Sequence, residues 1–227
     1  MIKPYYEDDS VKIYHGDCNE ILPDIKEDIS LCLTDPPYEI HADGSGMIKD
    51  RKYIKDIKGF TDCGFDYNIL KQFKNWFCFG TLIQVPELIN IAQNQNNRWM
   101  LITWNKPNPV PLINKNYLPD TEYIIHSFKN HNNLYGEYED RRRYIVHRLG
   151  DKQDGTHPNE KPLNVIYKLV KLGTQEGMTI IDPYAGSCTT GRASKDLGRK
   201  CICIEKEEKY CEIGAKRLFQ QVFNFRV

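Results

Sequence analysis

A short polar and aromatic box, Thr34-Asp35-Pro36-Pro37-Tyr38, directly follows the apolar run Ile29-Ser30-Leu31-Cys32-Leu33. A buried strand that ends in Asp-Pro-Pro-Tyr delivers unlike groups to one point. The Asp35 carboxylate accepts a hydrogen bond from an amine. Pro36 and Pro37 lack N–H groups and have a fixed φ, so the turn is stiff and its carbonyls stay free to accept. Tyr38 offers a flat face on which a planar ring can stack. Acceptors beside a stacking surface suit an exocyclic amino group on a heteroaromatic base. Asp and Pro are also common turn residues, so the tetrapeptide alone fits an ordinary strand-ending turn equally well.

A second constellation lies near the C-terminus. The run Ile180-Ile181-Asp182-Pro183-Tyr184-Ala185-Gly186-Ser187-Cys188-Thr189-Thr190-Gly191 reads as strand, tight loop and helix. Small residues let a backbone approach a ligand closely, and a helix N-terminus favours negative groups. The next strand, Cys201-Ile202-Cys203-Ile204, ends in Glu205, where an acid is placed to bind two ribose hydroxyls. Gly-Lys-Ser/Thr is missing, so this is no P-loop, and the three-glycine pattern of nicotinamide enzymes is incomplete. A nucleoside-containing ligand without phosphate, of the S-adenosylmethionine type, needs less of a phosphate cradle. A third element, His157-Pro158-Asn159-Glu160-Lys161-Pro162, is a stiff turn at a helix start. Its place just ahead of Asp182 makes it a candidate wall of the same site.

The elements that must position these groups alternate. Strands are expected over Val11–Tyr14, Ile29–Thr34, Trp76–Phe79, Arg98–Trp104, Thr121–Phe128, Met178–Ile181 and Lys200–Ile204. Helices are expected over Asn19–Leu22, Tyr67–Lys74, Pro86–Gln93, from Pro162 onward, over Thr189–Leu197 and over Glu207–Gln220. The apolar strand before the box belongs in the centre of a parallel sheet. Strand and helix alternation at both ends predicts an α/β chain, doubly wound around a mostly parallel sheet. Residues 39–66 carry Gly44, Gly46, Gly59 and Gly64 among lysines and aspartates and read as a long mobile loop. With no internal repeat and no linker, residues 1–227 read as one domain.

Composition narrows the class. A chain of 227 residues with 40% hydrophobic and 27% charged residues builds a core and a charged surface. No apolar run reaches the roughly eighteen residues of a membrane span, and the opening residues form no signal peptide, so a cytoplasmic protein is expected. The eight cysteines include no Cys-x-x-Cys pair. Buried free thiols are expected rather than disulfides or a metal site. A net charge of zero argues neither for nor against nucleic acid.

Taken together, the three constellations resemble the DNA amino-methyltransferases of the beta arrangement, in which the catalytic box precedes the cofactor loop. Asp35-Pro36-Pro37-Tyr38 looks like their motif IV and His157-Pro158 to Lys161-Pro162 like motif X. Asp182 to Ser187 looks like motif I and Glu205 like the motif II acid. Gly16-Asp17 fits the family's adenine-contacting turn, and Trp104-Asn105-Lys106-Pro107-Asn108 its Trp-Asn-Lys-Pro stretch. The resemblance runs from about Val11 to Leu218. It implies a Rossmann-like methyltransferase domain that binds S-adenosylmethionine and double-stranded DNA, with a homodimer as a further implication.

The same resemblance implies roles. Asp35, Pro36, Pro37 and Tyr38 would be catalytic, acting on the N6 amine of an adenine flipped out of the duplex. Asp17, Cys18, His157, Lys161, Asp182, Pro183, Tyr184, Gly186, Ser187, Thr189 and Glu205 would hold the cofactor, Lys161 near its carboxylate. Residues 129–156, a short stretch, would carry target recognition, with Arg141, Arg142, Arg143 and Lys106 on DNA. Arg141–Arg143 reads equally as a solvated charge run, because Glu137, Glu139 and Asp140 precede it. Asp at the first box position leans toward adenine N6, where Ser leans toward cytosine N4, yet both amines present the same geometry. Asn-Pro-Pro-Tyr glutamine methyltransferases, with their cofactor loop first, fit less well. One departure bears on activity: Cys188 stands where the family's loop has a second glycine, adding a side chain and demanding a φ that glycine takes most easily. A binding module that has lost activity there is the reading from another class.

Overall fold

In the computed structural model, which describes residues 2–38, 64–109, 117–129, 134–149 and 160–219, apolar residues alternate across the strands. In β3 (Leu31–Thr34), Leu31 and Leu33 join one core cluster and Cys32 the other. Phe77 and Phe79 oppose Trp76 and Cys78 in β4 (Asn75–Gly80), and Cys201 and Cys203 oppose Ile202 and Ile204 in β9 (Lys200–Glu205). Apolar residues with period two on both faces need cover on both faces. The first face carries α3 (Leu163–Gly173), α4 (Thr189–Asp196) and α5 (Glu208–Phe219). The second carries α1 (Cys18–Ile21), a 3₁₀ helix over Tyr67–Gln72 and α2 (Val85–Asn94). The expected helix from Tyr67 is therefore a tighter 3₁₀ turn.

The remaining strands are β1 (Tyr6–Glu7), β2 (Val11–His15), β5 (Arg98–Asn105), β6 (Thr121–Phe128), β7 (Tyr144–Val146) and β8 (Thr179–Asp182). They form one nine-stranded sheet in the order β1-β2-β9-β8-β3-β4-β6-β5-β7. From β2 through β4 all neighbours are parallel, as a doubly wound fold requires. β8 and β3 lie side by side, but the chain leaves β8 toward β9 and leaves β3 toward β4. That divergence opens a crevice at the carboxyl ends of the two strands, where ligands of open α/β sheets bind.

Two features were not foreseen. β6 runs antiparallel between β4 and β5, so its first residues, not its last, reach the edge where the crevice lies. β7, inside the polar stretch 129–156, pairs parallel with β5 and closes the sheet, so part of the expected recognition insert is scaffold. Residues 39–63 of the expected loop lie outside the described residues, as does His157. Among the described residues the seven cysteines are free and buried, and no helix is long and apolar enough to cross a membrane.

Candidate functional site

Strand ends assemble the site. Gly16 and Asp17 follow β2, Asp35 follows β3, Asp182 closes β8 and Glu205 closes β9, and all line one cavity of about 400 Å³. That volume suits a nucleoside-sized ligand. Pro36, Pro37, Tyr38, Cys18 and the loop residues Pro183 to Ser187 line it too, with Thr189 at the start of α4. The structure therefore brings the box and the loop, distant in sequence, into one wall. A hydrogen bond seals them: Thr34 Oγ1 donates to Asp182 Oδ1 at 2.9 Å.

The loop after β8 is closed on itself. Asp182 also accepts from Thr190 Oγ1 at 2.7 Å and from the Tyr184 N–H at 3.2 Å. Its carboxylate thus serves the loop rather than a ligand, and burial pushes its pKa up to about 7. Gly186 sits at φ +51°, and its N–H donates to Glu205 Oε2 at 2.7 Å. Glu205 Oε1 accepts from the Glu207 N–H at 2.8 Å, and burial raises the Glu205 pKa. Each oxygen keeps a lone pair for a further donor. Asp17 Oδ1 caps α1 through the Asn19 N–H at 3.0 Å, the chief cause of its lowered pKa, while Oδ2 lies 3.3 Å from Lys206 Nζ.

Cys188 takes the φ expected of the glycine it replaces, +58°, and its side chain turns away from the cavity into the core. A Cβ on Gly214 of α5 would stand 2.5 Å from Cys188 Sγ, so the missing side chain at 214 makes room for the thiol. The concern that Cys188 crowds a ligand is resolved by this exchange.

The turn 160–162 straddles the crevice. Glu160 reaches to the loop side, where it accepts from Ser187 Oγ at 3.2 Å and pairs with Arg217 of α5 at 2.6 Å. Arg217 also donates to Thr189 Oγ1 at 2.8 Å. Lys161 reaches the other way, pairing with Asp35 and lying 3.4 Å from Glu122 at the head of β6. Its ammonium stands 5.0 Å from the Tyr38 ring centroid and 5.1 Å from that of Phe79. Lys161, expected near the cofactor's carboxylate, lines the cavity and spends its ammonium on Asp35 and Glu122 of the box side.

Four charges meet there. Glu122 Oε1 pairs with Lys106 at 2.6 Å and Oε2 accepts from the Tyr38 hydroxyl at 3.1 Å. Burial opposes the Lys161 charge, but Asp35 and Glu122 outweigh it and its pKa is raised. Burial likewise works against Glu122, yet Lys161 and Lys106 hold its pKa down. Asp35 goes the other way. Burial raises its pKa, Lys161 pulls against that and Glu122 adds to it. Among the described residues its buried Oδ1 has no hydrogen-bond partner.

Lys106, expected on DNA, is only 9% exposed in its side chain and pairs with Glu122. Arg141–Arg143 precede β7, and Arg143 lies level with the β5 interior, back from the crevice edge. Arg142 pairs with Glu139 at 2.6 Å. Sequence reasoning missed Glu122, Arg217 and Gln84, and gave Glu160 no role of its own within its turn. Gln84 is buried and donates to the Pro37 carbonyl at 3.3 Å, stiffening the box.

Known proteins resemble this chain in sequence and fold. The family model described as DNA methylase matches residues 29–216. The type II methyltransferase M2.LlaDCHI of Lactococcus lactis subsp. cremoris is 30% identical over 255 residues, covering 96% of this chain and 93% of its own. M2.DpnII of Streptococcus pneumoniae is 28% identical, covering 96% and 93%. Among solved structures, the M1.HpyAVI–SAM complex superposes with a TM-score of 0.71 at 24% identity, over 91% of this chain and 99% of that one. PvuII DNA methyltransferase, described as cytosine-N4-specific, gives 0.74 at 16% identity, over 97% and 90%. The match spans most of the chain and both walls of the crevice, and the chain belongs to the DNA methylase family.

Proposed function

We propose that this DNA methylase transfers a methyl group from S-adenosylmethionine to the N6 amine of an adenine turned out of duplex DNA. The observation that carries the reading is Asp35 Oδ1, a buried acceptor that lines the cavity without a partner among the described residues. Leaving such an atom unpaired costs about 1–3 kcal/mol, a cost that an arriving N–H donor removes. The first box residue, Asp rather than Ser, favours adenine.

The cavity fits S-adenosylmethionine, the cofactor of this family. Its loop wall carries Asp17, Glu160 and Glu205, acids that suit a cationic nucleoside without phosphate. When bound, the cofactor supplies a methyl on a positively charged sulfur, released by in-line displacement. In this reading Glu205 takes the ribose hydroxyls and Asp17 the adenine amine, both being acids of the cavity lining. Pro183 to Ser187, Cys18 and Thr189 shape the remaining wall, and the reading leaves His157 in the same role.

On the box side, Asp35 accepts one amine hydrogen. Gln84 occupies the Pro37 carbonyl, which leaves that of Pro36 for the other. Hydrogen bonds from both amine hydrogens to these acceptors localise the lone pair and turn it toward the methyl. Tyr38 supplies the stacking surface. Once methylated, the nitrogen sheds a proton, and an aspartate whose pKa is raised by burial is suited to take it. Most of the acceleration comes from positioning and from acceptors fixed in advance.

The test is to incubate the protein with S-adenosylmethionine and DNA lacking amino-methylation, then identify methylated nucleosides by mass spectrometry. N6-methyladenine is expected. N4-methylcytosine would overturn the substrate while keeping the site, and no methylated base would overturn the reading.

A further inference from the structure

The four-charge cluster beside the box contains a residue to which the sequence pointed in no way. Glu122 belongs to the only strand between β4 and β7 that runs against the others, and that reversal sets it level with Trp104 at the crevice edge. It does not itself line the cavity but contacts two residues that do and that bear on Asp35, Tyr38 and Lys161. It accepts the Tyr38 hydroxyl at 3.1 Å, fixing the ring. It stands 3.4 Å from Lys161, the lysine that also binds Asp35. Lys106 at 2.6 Å anchors it.

Consider what Lys161 would do without Glu122. An ammonium with one buried carboxylate in reach bonds to that carboxylate with all the strength of a charge-assisted contact. A target amine would then compete with Lys161 for Asp35. With a second carboxylate present, the ammonium is shared, and Asp35 keeps an oxygen for the substrate.

We propose that Glu122 is a positioning residue for methyl transfer: it draws Lys161 partly off Asp35 and pins the Tyr38 ring, so that the box is open when the base arrives. This rests on the reading of Asp35 given above. Among the described residues, the titratable groups that face Asp35 are Lys161 from the turn before α3, Glu122 from β6, Tyr38 of the box, Asp182 from β8 and the Cys78 thiol from β4. Lys106 faces Glu122 from the end of β5. Of these, Glu122 adds negative charge beside Asp35, so its neutralisation lowers the pH at which Asp35 ionises.

Glu122→Gln keeps size and hydrogen bonding while removing the charge. Single-turnover methyl transfer is expected to fall on the order of tenfold to a hundredfold, about the worth of one charge-assisted contact. The dissociation constant for S-adenosylmethionine, read by calorimetry, stays within about twofold, because the loop side is untouched. The acid limb of the rate–pH profile moves to lower pH by roughly one unit, the size of a neighbouring-charge effect. Glu122→Asp keeps the charge on a shorter stem, so it slows transfer but leaves the limb in place. An unmoved limb in Glu122→Gln, or a rate equal to wild type, overturns the proposal. Should that variant not fold, Glu122→Asp decides: slowed transfer with unchanged cofactor binding supports the role, and an unchanged rate overturns it. A wild-type protein that transfers no methyl overturns the reading of the box itself, a different failure.

Discussion

The loop after β8 and the box after β3 leave the sheet on neighbouring strands, yet one is closed and the other open. In the loop, Asp182 takes three donors, Glu205 takes two backbone N–H groups, and Glu160 with Arg217 ties Ser187 and Thr189. In the box, two carboxylates share one lysine, and Asp35 retains an oxygen with no partner among the described residues. A wall that binds the same cofactor in every cycle gains from being built in advance, since less ordering is left for binding. A wall that must exchange hydrogen bonds with a substrate cannot be satisfied beforehand. In the function proposed above, the closed wall is the holding site and the open one the reacting site.

Breaking the open side produces the largest expected effect. Asp35→Ala removes the acceptor for the amine, and transfer to DNA falls on the order of 10²–10³-fold or more, the loss that accompanies one preorganised polar group. Cofactor affinity, measured by calorimetry, stays near wild type. A variant that turns over at full rate would refute the role. Glu205→Ala is the matching cut on the closed side, and its effect inverts the pattern. The cofactor dissociation constant rises roughly tenfold to a hundredfold, as expected for lost hydrogen bonds to a charged acceptor, while transfer at saturating cofactor changes less. An unchanged dissociation constant would remove Glu205 from the ribose site.

The closed side was far more legible in the sequence than the open one. Strand, glycine-containing loop, helix and strand-ending acid follow one another in β8, α4 and β9, so local patterning alone locates Gly186 and Glu205. The box itself is also local. Its surroundings are not. Glu122 reaches Lys161 and Tyr38 beside Asp35 only because β6 is inserted antiparallel between β4 and β5, a pairing that no stretch of residues announces. Lys106 after a strand looks like any surface lysine until that same strand brings Glu122 to it. Lys161 was expected at the cavity, which it lines, but nothing in its own stretch announces its pairing with Asp35 and Glu122. β7, three residues long in a polar stretch, carries too little periodicity to be seen.

Cys188 sharpens the account of the closed side. Its φ of +58° is strained for a side chain, and its thiol occupies the space over Gly214. Gly214→Ala therefore places a methyl against Sγ and is expected to destabilise the protein by about 1–3 kcal/mol in chemical denaturation, the usual range for overpacking. Adding Cys188→Gly to that variant returns most of the loss, since it removes the clash and the positive-φ strain together. The two substitutions are expected to be strongly non-additive. Additive effects would mean that the loop does not depend on this exchange.

The smallest effect is expected at the arginine triplet, and it is informative because the residue types invite the opposite. Arg142 is half exposed, paired with Glu139 and donating to the Tyr144 hydroxyl at 2.7 Å. It precedes β7, which runs parallel to β5 and comes level with the end of that strand only at Val146. A guanidinium already neutralised by its own segment and set back from the reacting edge contributes little to binding a polyanion. Arg142→Ala is expected to leave DNA affinity within about threefold and to change the slope of log affinity against log salt by less than the roughly 0.9 expected for one lost phosphate contact. A slope change of that size would return the triplet to the DNA face and require the segment before β7 to reorient on binding.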